Sequence, residues 1–482
     1  MMDAAEIAVD AALAAGADYA DARACRTSRE SLTLRNGALA SARAPDEAGL
    51  GVRVLKGGVL GFAAAPATPA EASRVARELG RRAARVAADL APARGEPVVL
   101  AGSEGEVGEY ATPVEIDPFR VPLEEKLDLL RSADAALQGA PETVVRLAHL
   151  GLRRREQFQA SSEGARVHQV LVRSGGGIAS TAAAHGQTER RSHPATGGDF
   201  RSGGFEHVLS LDLAAHGARV RDEAVALCAA DPCPAGRRTL IAGGNPLALQ
   251  IHESVGHATE LDRVLGHEAD LAGHSFATVD KLGSFRYGSP IVDLVADSTV
   301  PGGLDTRAFD DECVPSGRWH VVAGGILVGY HTSREWAGRL GEARSRAAAR
   351  AEGWYDPPIL RITNLSLEPG EWTLEALIAD TEDGAILVDG VKTWSIDERR
   401  LNFQFTCEIG REIRGGELGR ILRSPTYQGS TPEFWRSCDA ICNAQHWALF
   451  GITNCAKGNP MQAAEMSHGA APARFRDVLF VR

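Results

Sequence analysis

The sequence contains no uninterrupted apolar run approaching the roughly 18 residues that a membrane-spanning helix needs. Its opening, MMDAAEIAVDAALAAGADYADAR, lacks the basic start and apolar centre of a secretion signal and is interrupted by Asp at short intervals. Basic residues are outnumbered, 52 Lys plus Arg against 63 Asp plus Glu, for a formal charge of −11. Nucleic acid as a main partner would require clustered cations to neutralise phosphates. The arginine runs at 153–155 and 399–400 are diluted by Glu156 and Glu398 and read as solvated surface. Cysteine is scarce and scattered, eight in 482 residues, which suits a reducing compartment rather than a disulfide-stapled fold. Cys438 and Cys442 stand four apart in a stretch read as helical, with no second pair to complete a zinc site, and read as small core residues. Repeats and low-complexity tracts are absent. Together these point to a soluble, cytoplasmic protein whose partners are neither nucleic acid nor membrane.

What the chain does have is one unusual stretch, GGNPLALQIHESVGHATELD at 243–262. Asn245 is suited to cap a helix and Pro246 to its first position, where a missing N–H costs nothing. Leu247, Leu249 and Ile251 make the segment apolar enough for a buried helix. On it lie His252, Glu253 and His257, the pattern H-E-x-x-x-H. The zinc-protease signature H-E-x-x-H is one residue shorter, because residues four apart share a helix face. Five residues apart in a regular helix means a rotation of roughly 140°, which separates the two rings. One extra residue absorbed as a π-bulge restores the common face, and Gly256 lies where the backbone would distort. Spacing alone leaves two readings open: a metal site on a distorted turn, or a core helix with two incidental histidines.

Around this stretch the chain divides near 230. Residues 3–15 read as a short helix, followed by strands that turn at Asn36-Gly37 and Gly57-Gly58. A helix is expected over 71–90, a Pro- and Gly-containing connector over 91–121, and a second helix over about 122–138. From Thr143 the pattern is strand-like, with a turn at Ser162-Glu163-Gly164. Residues 173–205 read as extended strands with mobile loops, and 207–229 turn helical in their later part. Asp231-Pro232-Cys233-Pro234 marks the boundary. The C-terminal half opens on a strand, Arg238 to Ala242. It then becomes Gly-punctuated extended pieces between about 280 and 425, EWTLEALI among them. The expected fold is α+β. An N-terminal mixed region spans 1–230, with a further split into 1–100 and 110–230 left open. A mostly antiparallel β domain, 231–482, wraps around the metal-binding helix.

A catalytic zinc takes three protein ligands and keeps one position open. Nearby candidates for the third are Glu260, Asp262, His267 and His274; distant ones include Cys313, Cys407 and Cys455. Closeness favours Glu260. Cys455 competes from the segment GITNCAKGNPMQ, in a setting read as a loop, where Lys457 would favour its thiolate.

The segments HESVGHATELDRVLG, EADLAGHSFAT, VPGGLDTRAFDDE, TWSIDERRLNFQF, SPTYQGSTPEFW, NCAKGNPMQ and SHGAAPARFR resemble the TldD/PmbA family of metalloproteases. GADYADAR, LRNG and GVRVLKGGVLGFA extend the resemblance to nearly the whole chain. It implies that His252, His257 and Cys455 bind Zn2+ and that Glu253 is the catalytic glutamate. Glu260 and Asp262 then become groups that orient an imidazole ligand from behind. It also implies a homodimer, or a heterodimer with a related chain, cutting peptides or unfolded protein segments with zinc-activated water. Every motif residue of the active type is present; Cys313 departs from the pattern, where glycine is expected after FDDE. A non-catalytic, zinc-containing peptide-binding or assembly subunit of a heterodimer is the alternative. It would close the metal shell with Glu260 or His267.

Overall fold

The computed structural model describes residues 1–93 and 95–482. Near the N-terminus, helix α1 (Met2–Ala14) leads into the long strand β1 (Tyr19–Arg35). Asn36 and Gly37 both take positive φ, 51° and 81°, so the chain reverses in a two-residue turn into β2 (Ala38–Arg43). β3 (Asp46–Lys56) and β4 (Val59–Pro66) form the next hairpin, and α2 (Ala72–Leu90) packs back on it. Small residues make this layer close-fitting. Ala83 and Ala87 of α2 press on Gly61, whose missing side chain would otherwise meet the Ala83 carbonyl at 2.4 Å.

The connector expected at 91–121 contains a short strand, β5 (Val107–Ala111). After α3 (Leu123–Ala136), the long hairpin of β6 (Thr143–Ser161) and β7 (Arg166–Ala184) pairs with β1. β8 (Gln187–His193) and β9 (Asp199–Ser202) pair with β7, and α4 (Phe205–Ser210) and α5 (Leu213–Ala229) follow. The result is one nine-stranded sheet with core order β4-β3-β1-β6-β7-β5.

The C-terminal half is built on an eight-stranded sheet. Strands 236–242, 386–396, 402–414, 426–430 and 473–481 pair successively, and 473–481 pairs again with 236–242, closing a ring. Most pairs are antiparallel, but 236–242 runs parallel to 386–396. Helix α6 (Gly244–Ile251) leaves the end of strand 236–242 directly, buried through Leu247, Ile251 and the following Val255. The α+β expectation is met, with helices and sheets segregated as the patterns implied. Among the described residues no helix is long and apolar enough to cross a membrane.

Three local expectations change. The segment around Cys438 and Cys442 is extended, with a strand at Cys438–Ile441, although both thiols are buried. EWTLEALI contains a short helix, Leu374–Ala379, because the Thr373 side chain accepts from the Ala376 N–H and caps it. The arginines at 153–155 are not all solvated: Arg153 and Arg155 face the C-terminal half across the domain junction, where Arg153 meets Glu465 at 3.0 Å. Arg23 and Arg53 cross the same junction to Asp311 (3.2 Å) and Glu312 (2.7 Å). Sequence neighbours that dilute charge on paper point elsewhere in a strand, whose side chains alternate between faces. Cys313 sits at φ 60°, the left-handed backbone that accounts for the expected glycine, with its thiol packed on Ala165 and Val167.

Glu465 receives both Arg153 and Arg173. Burial opposes its ionised form, but those two guanidiniums hold its carboxyl down to about 2. A depressed pKa contributes stability above the unfolded value and loses it as pH falls through the folded one. Glu465→Gln is therefore expected to cost about 3 kcal/mol at neutral pH. In denaturant titrations the gap from wild type should stay constant above about pH 5 and narrow below about pH 4.5.

Candidate metal centre

Helix α6 does not simply continue. From His252 to Gly256 it widens into one π-helical turn, in which the His257 N–H donates to the His252 carbonyl five residues back. The bulge expected from the five-residue spacing is present, and it brings the His252 and His257 rings edge to face, 4.7 Å apart. Two details differ. Gly243 rather than Asn245 occupies the cap, and Asn245 Oδ1 is buried without a hydrogen-bond partner among the described residues. Gly256 has ordinary helical dihedrals, φ −53°, so glycine is needed there for space. A Cβ would meet Ile362 Cδ1 at 2.9 Å.

Cys455 comes in from strand 448–457 rather than a loop, and its Sγ lies 3.4 Å from His257 Nε2. Among the described residues, the single group of three or more His, Cys, Asp or Glu with ligand atoms all within 4.8 Å of one another is His252, His257 and Cys455. All three are buried. A tetrahedral zinc with bonds of about 2.1 Å to nitrogen and 2.3 Å to sulfur would hold those donors about 3.6 Å apart. The sulfur–nitrogen separation fits.

Outer hydrogen bonds decide which ring nitrogens are free. Glu260 Oε2 accepts from His257 Nδ1 at 2.8 Å, leaving Nε2 bare toward Cys455. Glu260 also faces Lys457 (3.1 Å) and Arg263 (3.6 Å), and Lys457 bonds Asp262 at 2.8 Å. Glu260 thus sits behind an imidazole and Asp262 one step further out. His468 holds the other ring. Its Nδ1 donates to the Leu365 carbonyl at 2.8 Å, so its Nε2 must accept from His252 Nδ1, also at 2.8 Å. His252 Nε2 is left with its lone pair outward. Burial keeps both rings neutral, with His252 pushed down to about 4 and His468 well below its usual value. His468 lies within SHGAAPARFR, yet its role was not legible there, because nothing local places it beside residue 252. His468→Ala is expected to weaken zinc binding by about 10–100-fold, measured by competition with a chromophoric chelator.

Burial opposes the Cys455 thiolate, but His257 and then Arg361 bring the thiol below its usual range. Lys457, expected to do this, points instead to Asp262 and Glu260. Glu253 is buried next to both histidines. Its Oε1 accepts from Trp394 Nε1 and its Oε2 from Arg400 Nη1, each at 2.9 Å. Burial raises its pKa, but its polar neighbours, His257 first and then Arg400 and the Trp394 hydrogen bond, outweigh burial and hold the carboxyl below its usual range. Arg400 belongs to the second basic run, which reads as surface in the sequence but closes over the site. His267 packs on Trp336, His274 is exposed, and Cys313 and Cys407 are buried elsewhere. The donors and Glu253 floor a cleft of about 500 Å3, walled by Gly197, Phe200, Trp394 and residues 450–456.

Two imidazoles and a thiolate beside an ionised glutamate, at the bottom of an open cleft, match the residue set of metal-dependent hydrolases. The sequence narrows this to a family. Models of the PmbA/TldA metallopeptidase match in three parts: domain 1 over 20–88, the central domain over 116–227 and the C-terminal domain over 236–478. The chain belongs to this metallopeptidase family, as the resemblance implied. A metalloprotease of Methanothermobacter thermautotrophicus is 28% identical over 464 residues, covering 96% of this chain and 95% of its own. A zinc metalloprotease TldD homologue of Saccharolobus solfataricus is 24% identical over 241 residues, 49% of each chain. The crystal structure of TldE from Thermococcus kodakarensis superposes with a TM-score of 0.75 at 17% identity, covering 99% of this chain and 100% of that one. That last likeness is one of fold.

Proposed function

We propose that the protein is a zinc-dependent endopeptidase that hydrolyses peptides or unfolded protein segments, with Glu253 as general base. The observation that carries this reading is the convergence of three buried donors within 4.8 Å at the floor of a cleft that Glu253 also lines. Zinc held by His252, His257 and Cys455 would polarise a scissile carbonyl and lower the pKa of a water beside it to about 7. Glu253 takes the proton of the attacking water and passes it to the departing amine. Trp394 and Arg400 fix the carboxylate's direction, while Glu260 and His468 keep both imidazoles facing inward. The alternative of a closed, non-catalytic shell has less support, since Glu260 is committed to His257 and Lys457 and His267 packs on Trp336.

Among the described residues strand 448–457 pairs only with 462–470, and its residues 450–456 line the cleft. An extended peptide added to this strand is bound through backbone atoms, which suits unfolded substrates. The protein acts in the cytoplasm as a dimer, with itself or with a related chain. The test is metal analysis of the purified protein together with hydrolysis of an unstructured peptide. Chelation should abolish cleavage and zinc should restore it. Cleavage indifferent to chelation, or protein without stoichiometric metal, would end the proposal.

A further inference from the structure

Two walls of the active cleft, Phe200 and Thr453, are shared with a neighbouring cavity of about 370 Å3. The lining of this second cavity is unexpectedly cationic for a chain of formal charge −11. Arg29, Arg43, Arg153 and Arg173 face Glu30 and Glu465. Arg29 is matched by Glu47 at 2.7 Å and Glu30 by Lys126 at 2.8 Å, which leaves those two neutralised. Arg153 and Arg173 have one carboxylate between them, both meeting Glu465 Oε2. Each also keeps a buried Nε without a hydrogen-bond partner among the described residues, although Arg173 is only 6% exposed. Arg43 is exposed and has no ion pair among the described residues. Leu152, Leu304 and Phe200 add apolar wall beside the hydroxyls of Ser31 and Thr453, and low-dielectric surface strengthens the field of the uncompensated guanidiniums.

The strand carrying the thiol runs from one cavity to the other. Cys455 lies in the active cleft, and Thr453, roughly 7 Å back along the strand, lines both. A peptide laid along this strand would bring a group two or three residues from the scissile bond to the arginines. We propose that this cavity is a subsite for a carboxylate of the substrate, a Glu or Asp side chain or the peptide's C-terminal end, held by Arg43 with Arg153 and Arg173. The protein therefore prefers peptides that place a carboxylate at this distance from the scissile bond. A carboxylate suits the planar, forked donors of arginine, and enters beside Glu465 without displacing it. This assignment rests on the peptidase reading, whose substrate class it narrows.

The experiment uses the full-length, zinc-loaded Glu253→Gln protein and fluorescent octapeptides. The peptides differ only by Glu or Gln at each position in turn, and each is made with a free or an amidated C-terminus. Anisotropy titrations should show about tenfold tighter binding where a carboxylate reaches the cavity. The acid–amide and Glu–Gln pairs distinguish a terminal from a side-chain carboxylate. The Arg43 side chain makes no ion pair among the described residues, so Arg43→Ala should reduce the preference to about threefold and Arg43→Glu should abolish it. Equal binding within every pair would overturn the subsite, whether or not the wild-type protein cleaves peptides. A preference untouched by both Arg43 variants would overturn it too. A carboxylate preference that Arg43 controls, in a protein whose wild type cleaves nothing, would uphold the subsite and remove the peptidase reading instead.

Discussion

Glu253→Gln should leave zinc at about one per chain while peptide cleavage falls by a factor of about 10³. The two observables separate because Glu253 is not among the three donors: its oxygens are turned to Trp394 and Arg400 rather than to the cluster of His252, His257 and Cys455. Glutamine fills the same volume but has no charge to accept a proton. It also presents a donor where Glu253 presents only acceptors, and two donors, the Trp394 indole and the Arg400 guanidinium, face that position. One of those bonds must be lost, so a fraction of the effect arises from orientation. Arg400→Ala isolates that fraction, because it removes the clamp and retains the carboxylate. Inductively coupled plasma metal analysis and initial rates on one peptide are sufficient. Cleavage retained within about tenfold of wild type in Glu253→Gln would take Glu253 out of the mechanism.

The parts of this site that were legible in the sequence are those encoded by short-range spacing. Five residues between two histidines on an apolar helix required a wider turn, and His252–Gly256 supplies one. Hairpins at Asn36-Gly37 and Gly57-Gly58 were equally readable, because only residues tolerant of positive φ close such turns cheaply. What was not legible depends on contacts hundreds of residues apart. His468 reaches His252 across 216 positions and Arg400 reaches Glu253 across 147. Neither carries a local signal, since a histidine in a strand and an arginine in a charged turn look the same whether they are idle or engaged. The misread arginines at 153–155 have the same origin: charge counted along the chain ignores that alternate strand residues face opposite ways. Lys457 shows the limit from the other side. It is close to Cys455 in sequence, yet its ammonium serves Asp262 and Glu260. The lysine therefore steadies the carboxylate behind His257 rather than the thiolate itself.

That arrangement sets up the second large effect. Cys455→Ala should abolish stoichiometric zinc binding, with a loss exceeding the roughly 100-fold expected for an outer hydrogen-bond partner such as His468. Cleavage should be lost with the metal. Two histidines alone would remain, and the carboxylate nearest to them is not free to replace the thiolate. Glu260 is bonded to His257 and ion-paired with Lys457 and Arg263, so moving it inward would strand a buried ammonium and release the His257 ring. The fold should survive, because the substitution removes one small buried atom from a strand otherwise paired with 462–470. Thermal melts make the distinction. Without metal, the variant and wild type should unfold within a few degrees of each other. Excess zinc should raise the midpoint of wild type alone, as expected for a ligand that binds only the folded state. If Cys455→Ala took up one zinc per chain with the affinity of wild type, the thiolate would not be a ligand. The third donor would then have to be Glu260, a possibility that Glu260→Gln in the same assay would decide.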